Sequence, residues 1–232
     1  SVPVYYDYDR GSDNAAYWSY IDGFFIWGLY YLDEVPLAMN GGVVAHETAH
    51  RMYNGNMYGF DPYQMRQFKD LPDYQRISNL LYGFNEGCSD YFGFWVSGDP
   101  GFMRHSFGPL TAIDRDLRWA HIAADPSWIS GDEPTYGSLS NYNPYVLGSV
   151  YASALWRIGE QHGHDMVAQQ LYDTQMALGP GIREEFRFSV ALCLATLVAE
   201  ISEANGEAGQ TACAVFAEHF SGMETTIEGC GE

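Results

Sequence analysis

Basic residues are scarce in this sequence: 11 Lys and Arg stand against 30 Asp and Glu, for a net charge of −19. A field of that sign repels phosphate backbones and anionic lipid surfaces, so nucleic acid is excluded as a partner class, while cations and solubility are favoured. No apolar run reaches the roughly 20 residues that a membrane helix needs, so membrane insertion is not expected. Cysteine is limited to Cys88, Cys193, Cys213 and Cys230, none in a CxxC pair, which disfavours a structural thiolate zinc site. An even count with two members near the C-terminus fits disulfides made in an oxidising compartment, secreted/extracellular or periplasmic, with buried free thiols as the alternative. On the first reading a bridge joins two of Cys193, Cys213 and Cys230, and Cys88, inside a helix, stays free. Internal repeats, low-complexity tracts and long linkers are also missing, which leaves one catalytic-size domain or two lobes sharing a core.

What is present is a sequence able to build that core, 47% hydrophobic and 16% aromatic. Residues 1–37 read as mixed strand and helix, with "NAAYWSYIDGFFIWGLYYLDE" the most ordered part. A helix is expected after Gly41-Gly42, then a polar excursion from Asn54 to Asp73. A second helix, roughly Gln75 to Val96, carries Ile77, Leu80, Leu81, Phe84, Cys88, Tyr91, Phe92 and Trp95 at helical spacing. Residues 97–143 read as loop-dominated. Further helices are expected over Leu147–His162, His164–Leu178, Arg183–Asn205 and Thr211–Phe220. The fold class expected is α+β, with a mixed α/β part over residues 1–74 and a mainly helical part over 75–232.

Within the first helix, His46-Glu47-Thr48-Ala49-His50 places two imidazoles four positions apart, one above the other on a single helix face. Such a pair can grip one metal ion, and Glu47 lies close enough to polarise a water on that metal. A third ligand is needed. The second helix offers "FNEGCSDYFG", residues 84–93, where Glu86 and Asp90 share a face four residues apart. Glu86 would complete a two-His, one-Glu zinc set with a fourth position left open. Asp90, one turn on, would accept a hydrogen bond from the free ring nitrogen of a ligating histidine. Solvated acids are the plain alternative, less natural on so apolar a helix.

At these residues the chain resembles the gluzincin metallopeptidases, in particular the thermolysin and fungalysin families. "HETAH" matches their HExxH, and "NEGCSDYFG" is similar to N-E-x-x-S-D-x-F-G. The rival pattern HExxHxxGxxH fails, because Tyr53 and Asn56 fall where Gly and His are required. The stretch "LAMNGG" lacks the glutamate with which a gluzincin aminopeptidase captures a free amino terminus, so an endopeptidase is implied. More weakly, "NPYVLGSVYASALW" resembles a fungalysin run whose histidine is placed at Tyr145 here, implying a tyrosine hydroxyl as oxyanion donor. "IDRDLRW" is similar to the family's arginine-bearing segment, which implies Arg115 as a bridge between Asp90 and a substrate carbonyl, with Arg118 as the neighbouring alternative. The resemblance implies a zincin-like fold with the active-site helix between the two parts, and one Zn2+ per chain held by His46, His50 and Glu86. It also implies Glu47 as the catalytic base. The long gap from His50 to Glu86 suggests an inserted loop over the cleft.

A Ca2+ site is a further expectation near Asp7, Asp9 and Asp13, which alternate around Gly11 as oxygen ligands do, with an ordinary acidic turn as the alternative. His105, His121, His162, His164 and His219 carry no partner pattern and read as surface or structural. The expected protein is a monomeric zinc metalloendopeptidase acting on protein or peptide substrates. The rival expectation is a zinc-bearing binding module that turns over weakly or not at all.

Overall fold

The computed structural model describes residues 4–7, 15–19, 22–27, 36–61, 64–107, 115–118, 123–131, 142–223 and 226–231. Helices predominate, and one small sheet lies at the N-terminal end, so the class is α+β in its broad sense. The strands are β1 (Val4–Asp7), β2 (Ala15–Trp18) and β3 (Gly23–Trp27), in the order β1-β3-β2. β3 pairs parallel with β1 (Val4 opposite Phe24) and antiparallel with β2 (Ala15 opposite Ile26, Trp18 opposite Gly23). Among the described residues β2 is the outer strand on the side away from β1.

Among the described residues seven α-helices follow: α1 (Gly41–Tyr58), α2 (Tyr74–Ser97), α3 (Arg104–Phe107), α4 (Pro144–His162), α5 (His164–Glu185), α6 (Val190–Ala204) and α7 (Gly206–His219). α2 is the centre of the molecule and is buried without a break from Asn79 to Phe94 except at Tyr82. It lies between α1 and α4, while α5 reaches across α1 and α4, and α6 and α7 cover the far side. Phe84, Tyr91 and Leu80 on α2 are each at most 3% exposed, and full burial of such a side chain contributes about 1.5–3 kcal/mol. The α2–α4 approach is backbone to backbone. A Cβ on Gly87 would fall 2.6 Å from the Gly148 carbonyl oxygen, so no larger residue fits directly after Glu86. Gly59, with φ of 67°, ends α1 in the left-handed region where glycine costs least.

Several helix limits differ from the sequence expectation, each for a local reason. α1 runs on through Asn54 to Tyr58, because Tyr53 and Met57 are buried and Asn56 is held by Gln175 and by Arg183 of α5. α5 continues past Leu178, through Pro180, to Glu185, so Arg183 belongs to it and α6 begins only at Val190. α7 starts at Gly206, five residues earlier than expected, because the Asn205 side chain accepts from the amides of Glu207 and Ala208. Cys213 and Cys230 form a disulfide that ties α7 to the C-terminal tail, whereas Cys88 and Cys193 are free and buried.

The sheet is fastened to α1 at one corner. Arg51 donates to both carboxylate oxygens of Asp22, at 2.6 and 2.8 Å, and the Tyr17 hydroxyl donates to the same carboxylate at 2.9 Å. This pair is half exposed and contributes at most about 1 kcal/mol. Its consequence is positional: β2 is held alongside the face of α1 that carries His46 and His50.

Candidate metal centre

α1 is set in place at its first turn. Asn40 accepts from the amides of Gly42 and Val43, at 3.1 and 3.3 Å, and caps the helix. Its side-chain nitrogen donates to the Phe102 carbonyl and the Ser106 hydroxyl, both at 2.8 Å, so the cap also fixes where the helix starts in space. One turn further, Val43 and His46 turn inward together, and His50 follows at the next turn.

The sequence-expected ligands converge. His46 Nε2 and His50 Nε2 are 3.0 Å apart, and each lies 3.7 Å from a Glu86 carboxylate oxygen. A tetrahedral ion bound at about 2.1 Å requires ligand atoms about 3.4 Å apart, and these separations, to Glu86 Oε2 from His46 and to Glu86 Oε1 from His50, lie either side of that value. His46, His50 and Glu86 together can hold a metal ion. The remaining ring nitrogens are oriented from α2. His50 Nδ1–H donates to Asn85 Oδ1 at 2.9 Å, with Ser89 Oγ at 3.0 Å, which leaves the Nε2 lone pair for an ion. His46 Nδ1 lies 3.0 Å from Asp90 Oδ1, close enough for strong attraction but poorly aligned as a hydrogen bond. Asn85, Glu86, Ser89 and Asp90 thus form two adjacent rows on one face of α2. Asn85 and Ser89 were not singled out from the sequence. Their four-residue spacing, the same as that of Glu86 and Asp90, is the signal that would have found them.

Arg115 joins the carboxylates. Its Nε and Nη2 donate to Asp90 at 3.0 and 2.7 Å, and Nη2 also donates to Glu86 Oε2 at 2.9 Å. Burial alone would raise the Asp90 carboxyl, but the Arg115 and His46 charges outweigh it and hold Asp90 below the usual carboxylate range. Burial alone would lower the Arg115 guanidinium, and Asp90 and Glu86 reverse that, so it stays protonated. The Tyr145 ring, in the first turn of α4, lies 4.7 Å from the Arg115 guanidinium carbon. Arg118 is directed elsewhere; it is exposed and pairs with Asp116.

Two features bear on whether the centre suits a cation. Glu47 is 6% exposed, yet its Oε2 has no hydrogen-bond partner among the described residues. With both imidazoles counted as neutral, as metal ligands must be, the buried carboxylates Glu47, Glu86 and Asp90 are met among the described residues by the one cation Arg115, so two negative formal charges are left over. Burying unpaired charge is costly, and a divalent cation would offset it. The donor set and its charge therefore fit a metal ion.

His46, Glu47, His50, Glu86 and Arg115 line a cleft of about 570 Å³, bounded by β2 on one side and by α1, α2 and Tyr145 on the others. Asp9 and Asp13, and the side chain of Asp7, lie outside the described residues, as does His121. His105 pairs with Asp99, His162 with Thr211 and His164 with Glu160, while His219 Nδ1 bonds to the Val215 carbonyl. None of these belongs to the centre. Set against known proteins, the chain matches no family model, no curated protein and no solved structure.

Proposed function

We propose that the chain is a zinc-dependent endopeptidase of gluzincin type on a zincin-like fold. The observation that carries this is the convergence of His46, His50 and Glu86 beside the buried, unpartnered Glu47 Oε2. The sequence resemblance to thermolysin and fungalysin metallopeptidases supports it at the same residues. In this reading His46 Nε2, His50 Nε2 and a Glu86 oxygen hold the ion. Once bound, zinc supplies Lewis acidity toward a peptide carbonyl and lowers the pKa of water to near neutrality. Glu47 Oε2 takes a proton from the attacking water and passes it to the leaving nitrogen. The Tyr145 hydroxyl donates to the carbonyl oxygen as negative charge grows there. Arg115, clamped to Asp90, holds a neighbouring substrate carbonyl.

Cleft length supports internal cleavage. Val43 and Tyr58 both line it, and 15 residues of α-helix span about 22 Å. Roughly six extended residues fit along that length, with β2 forming part of one wall. The binding-module reading draws on two specific features. A tyrosine stands where the resembling families carry histidine, and Arg115 already bonds the Glu86 oxygen that lies nearest His46. Hydrolysis of an internally quenched peptide decides between them. The enzyme reading expects turnover abolished by a zinc chelator and restored by added zinc, whereas zinc uptake without turnover supports the binding module.

A further inference from the structure

The charged residues lining the cleft, among those described, all belong to the candidate metal centre, and beyond His50 the cleft walls are uncharged and mostly apolar, with Asn54 and Ser78 as the polar side chains besides the tyrosines. There the cleft is bounded by Tyr58 of α1, Leu81 and Tyr82 of α2, Met65 from the excursion between these helices, and Phe186 at the end of α5. At 1.5 Å per residue, Tyr58 is about 12 Å along α1 from His50, and Leu81 about 7.5 Å along α2 from Glu86. Phe186 has a left-handed φ of 52°, unusual for a bulky residue, and such strain persists only where packing over-determines it. The packing is visible. Its ring, 2% exposed, stacks on Phe68 at 5.3 Å and on Tyr74 at 5.1 Å. Phe186 thereby fastens the turn carrying Met65 to the start of α2 and fixes this end of the cleft.

We infer that Tyr58, Met65, Leu81, Tyr82 and Phe186 form a distal specificity subsite for one bulky apolar side chain of a peptide substrate. The inference rests on the peptidase reading. An extended peptide covers about 3.3 Å per residue, so the recognised residue lies roughly two to four positions from the cleaved bond, not beside it. An acidic or basic side chain there would lose water and meet no opposite charge among the described lining residues, only the neutral Asn54, Ser78 and tyrosine groups, which sets the discrimination.

Cleavage products of a randomised dodecapeptide library, made by the zinc-loaded protein, provide the test. Leu, Met or Phe should be enriched at one fixed position two to four residues from the cut. A matched pair of peptides, Leu against Asp at that position, should differ roughly 10- to 200-fold in kcat/KM. Met65→Trp, which fills the subsite, and Tyr82→Ala, at a residue already 37% exposed, should each reduce that ratio severalfold or more. The same peptides, fluorescently labelled, are titrated into the Glu47→Gln variant to read binding without turnover. Preferential binding of the Leu peptide, lost in Met65→Trp, upholds the subsite even if the wild type cleaves nothing, in which case only the peptidase reading fails. Cleavage with no distal preference, or with one unaltered by both variants, overturns the subsite and leaves the peptidase reading intact. Absence of both cleavage and discriminating binding also overturns it.

Discussion

α1 and α2 meet face to face at the candidate metal centre, and they are built differently. α1 is amphipathic: His46, Glu47, Tyr53 and Met57 turn inward, while Val44 on the other side is 40% exposed. α2 is enclosed almost all round, and its polar residues Asn85, Glu86, Ser89 and Asp90 are buried with partners on α1 or Arg115. The difference separates two tasks. α1 presents to the cleft the one acid, Glu47, whose oxygen has no described partner. In the proposed reading α2 is a fixed holder that would supply one ligand and orient two others. A rigid element is where such precision is least costly to maintain, since neighbouring packing locks each rotamer.

The contrast is most directly broken by exchanging the two glutamates' roles. Glu47→Gln on α1 should cut turnover by about 100- to 10,000-fold while zinc content stays near one per chain, as kinetics and metal analysis of one sample would record. Glu86→Gln on α2 should instead lose metal. Equal metal loss in both variants would erase the division of labour. Next in size, Tyr145→Phe keeps the ring against Arg115 and deletes only the hydroxyl. A loss of about 100- to 1,000-fold in kcat with little change in KM is expected if that hydroxyl meets the oxyanion. A silent Tyr145→Phe would transfer that role to another donor, with Arg115 the nearest candidate. Smaller still, Asp90→Asn and Asn85→Ala should each weaken zinc affinity by about 10- to 100-fold in competition with a chelating dye. A variant retaining full affinity would remove its residue from the orienting layer.

The smallest effect on the centre should come from the far end of the fold. Opening the Cys213–Cys230 bridge by Cys230→Ser frees a 17-residue separation, and closing a loop of that size is worth about 3 kcal/mol. Denaturant melts should register that loss, while zinc content is unchanged. Thiol titration of the denatured wild type should find only Cys88 and Cys193 reactive. Zinc loss in Cys230→Ser would mean the two regions are coupled after all.

Legibility in the sequence followed the same division. Helical periodicity placed α2 to within a residue at each end, because a long helix with apolar residues at helical spacing and Gly98 after it has strong local signals. The three side chains that converge were legible for a related reason: four-residue spacings on two helices require no tertiary information. The end of α5 was not legible. Pro180 and its flanking glycines read as a break, yet Gly179 sits so close to the Asn56 carbonyl that a Cβ would fall 2.1 Å from it, and Arg183 donates to that same carbonyl. Contacts 120 residues away in sequence thus carry the helix through its proline. The apolar end of the cleft was hidden likewise, since Met65, Leu81 and Phe186 come from three separate segments and meet only in the fold.

Titration of the metal-free protein with zinc, followed by zinc-edge X-ray absorption and peptide hydrolysis on the same samples, tests the central claim most directly. The account predicts saturation at about one zinc per chain, with only nitrogen and oxygen neighbours at about 2.0–2.2 Å. Hydrolytic activity should rise in proportion to bound zinc and level off at that point. A sulfur neighbour, an absence of stoichiometric binding, or full occupancy with no hydrolysis of any peptide would contradict it.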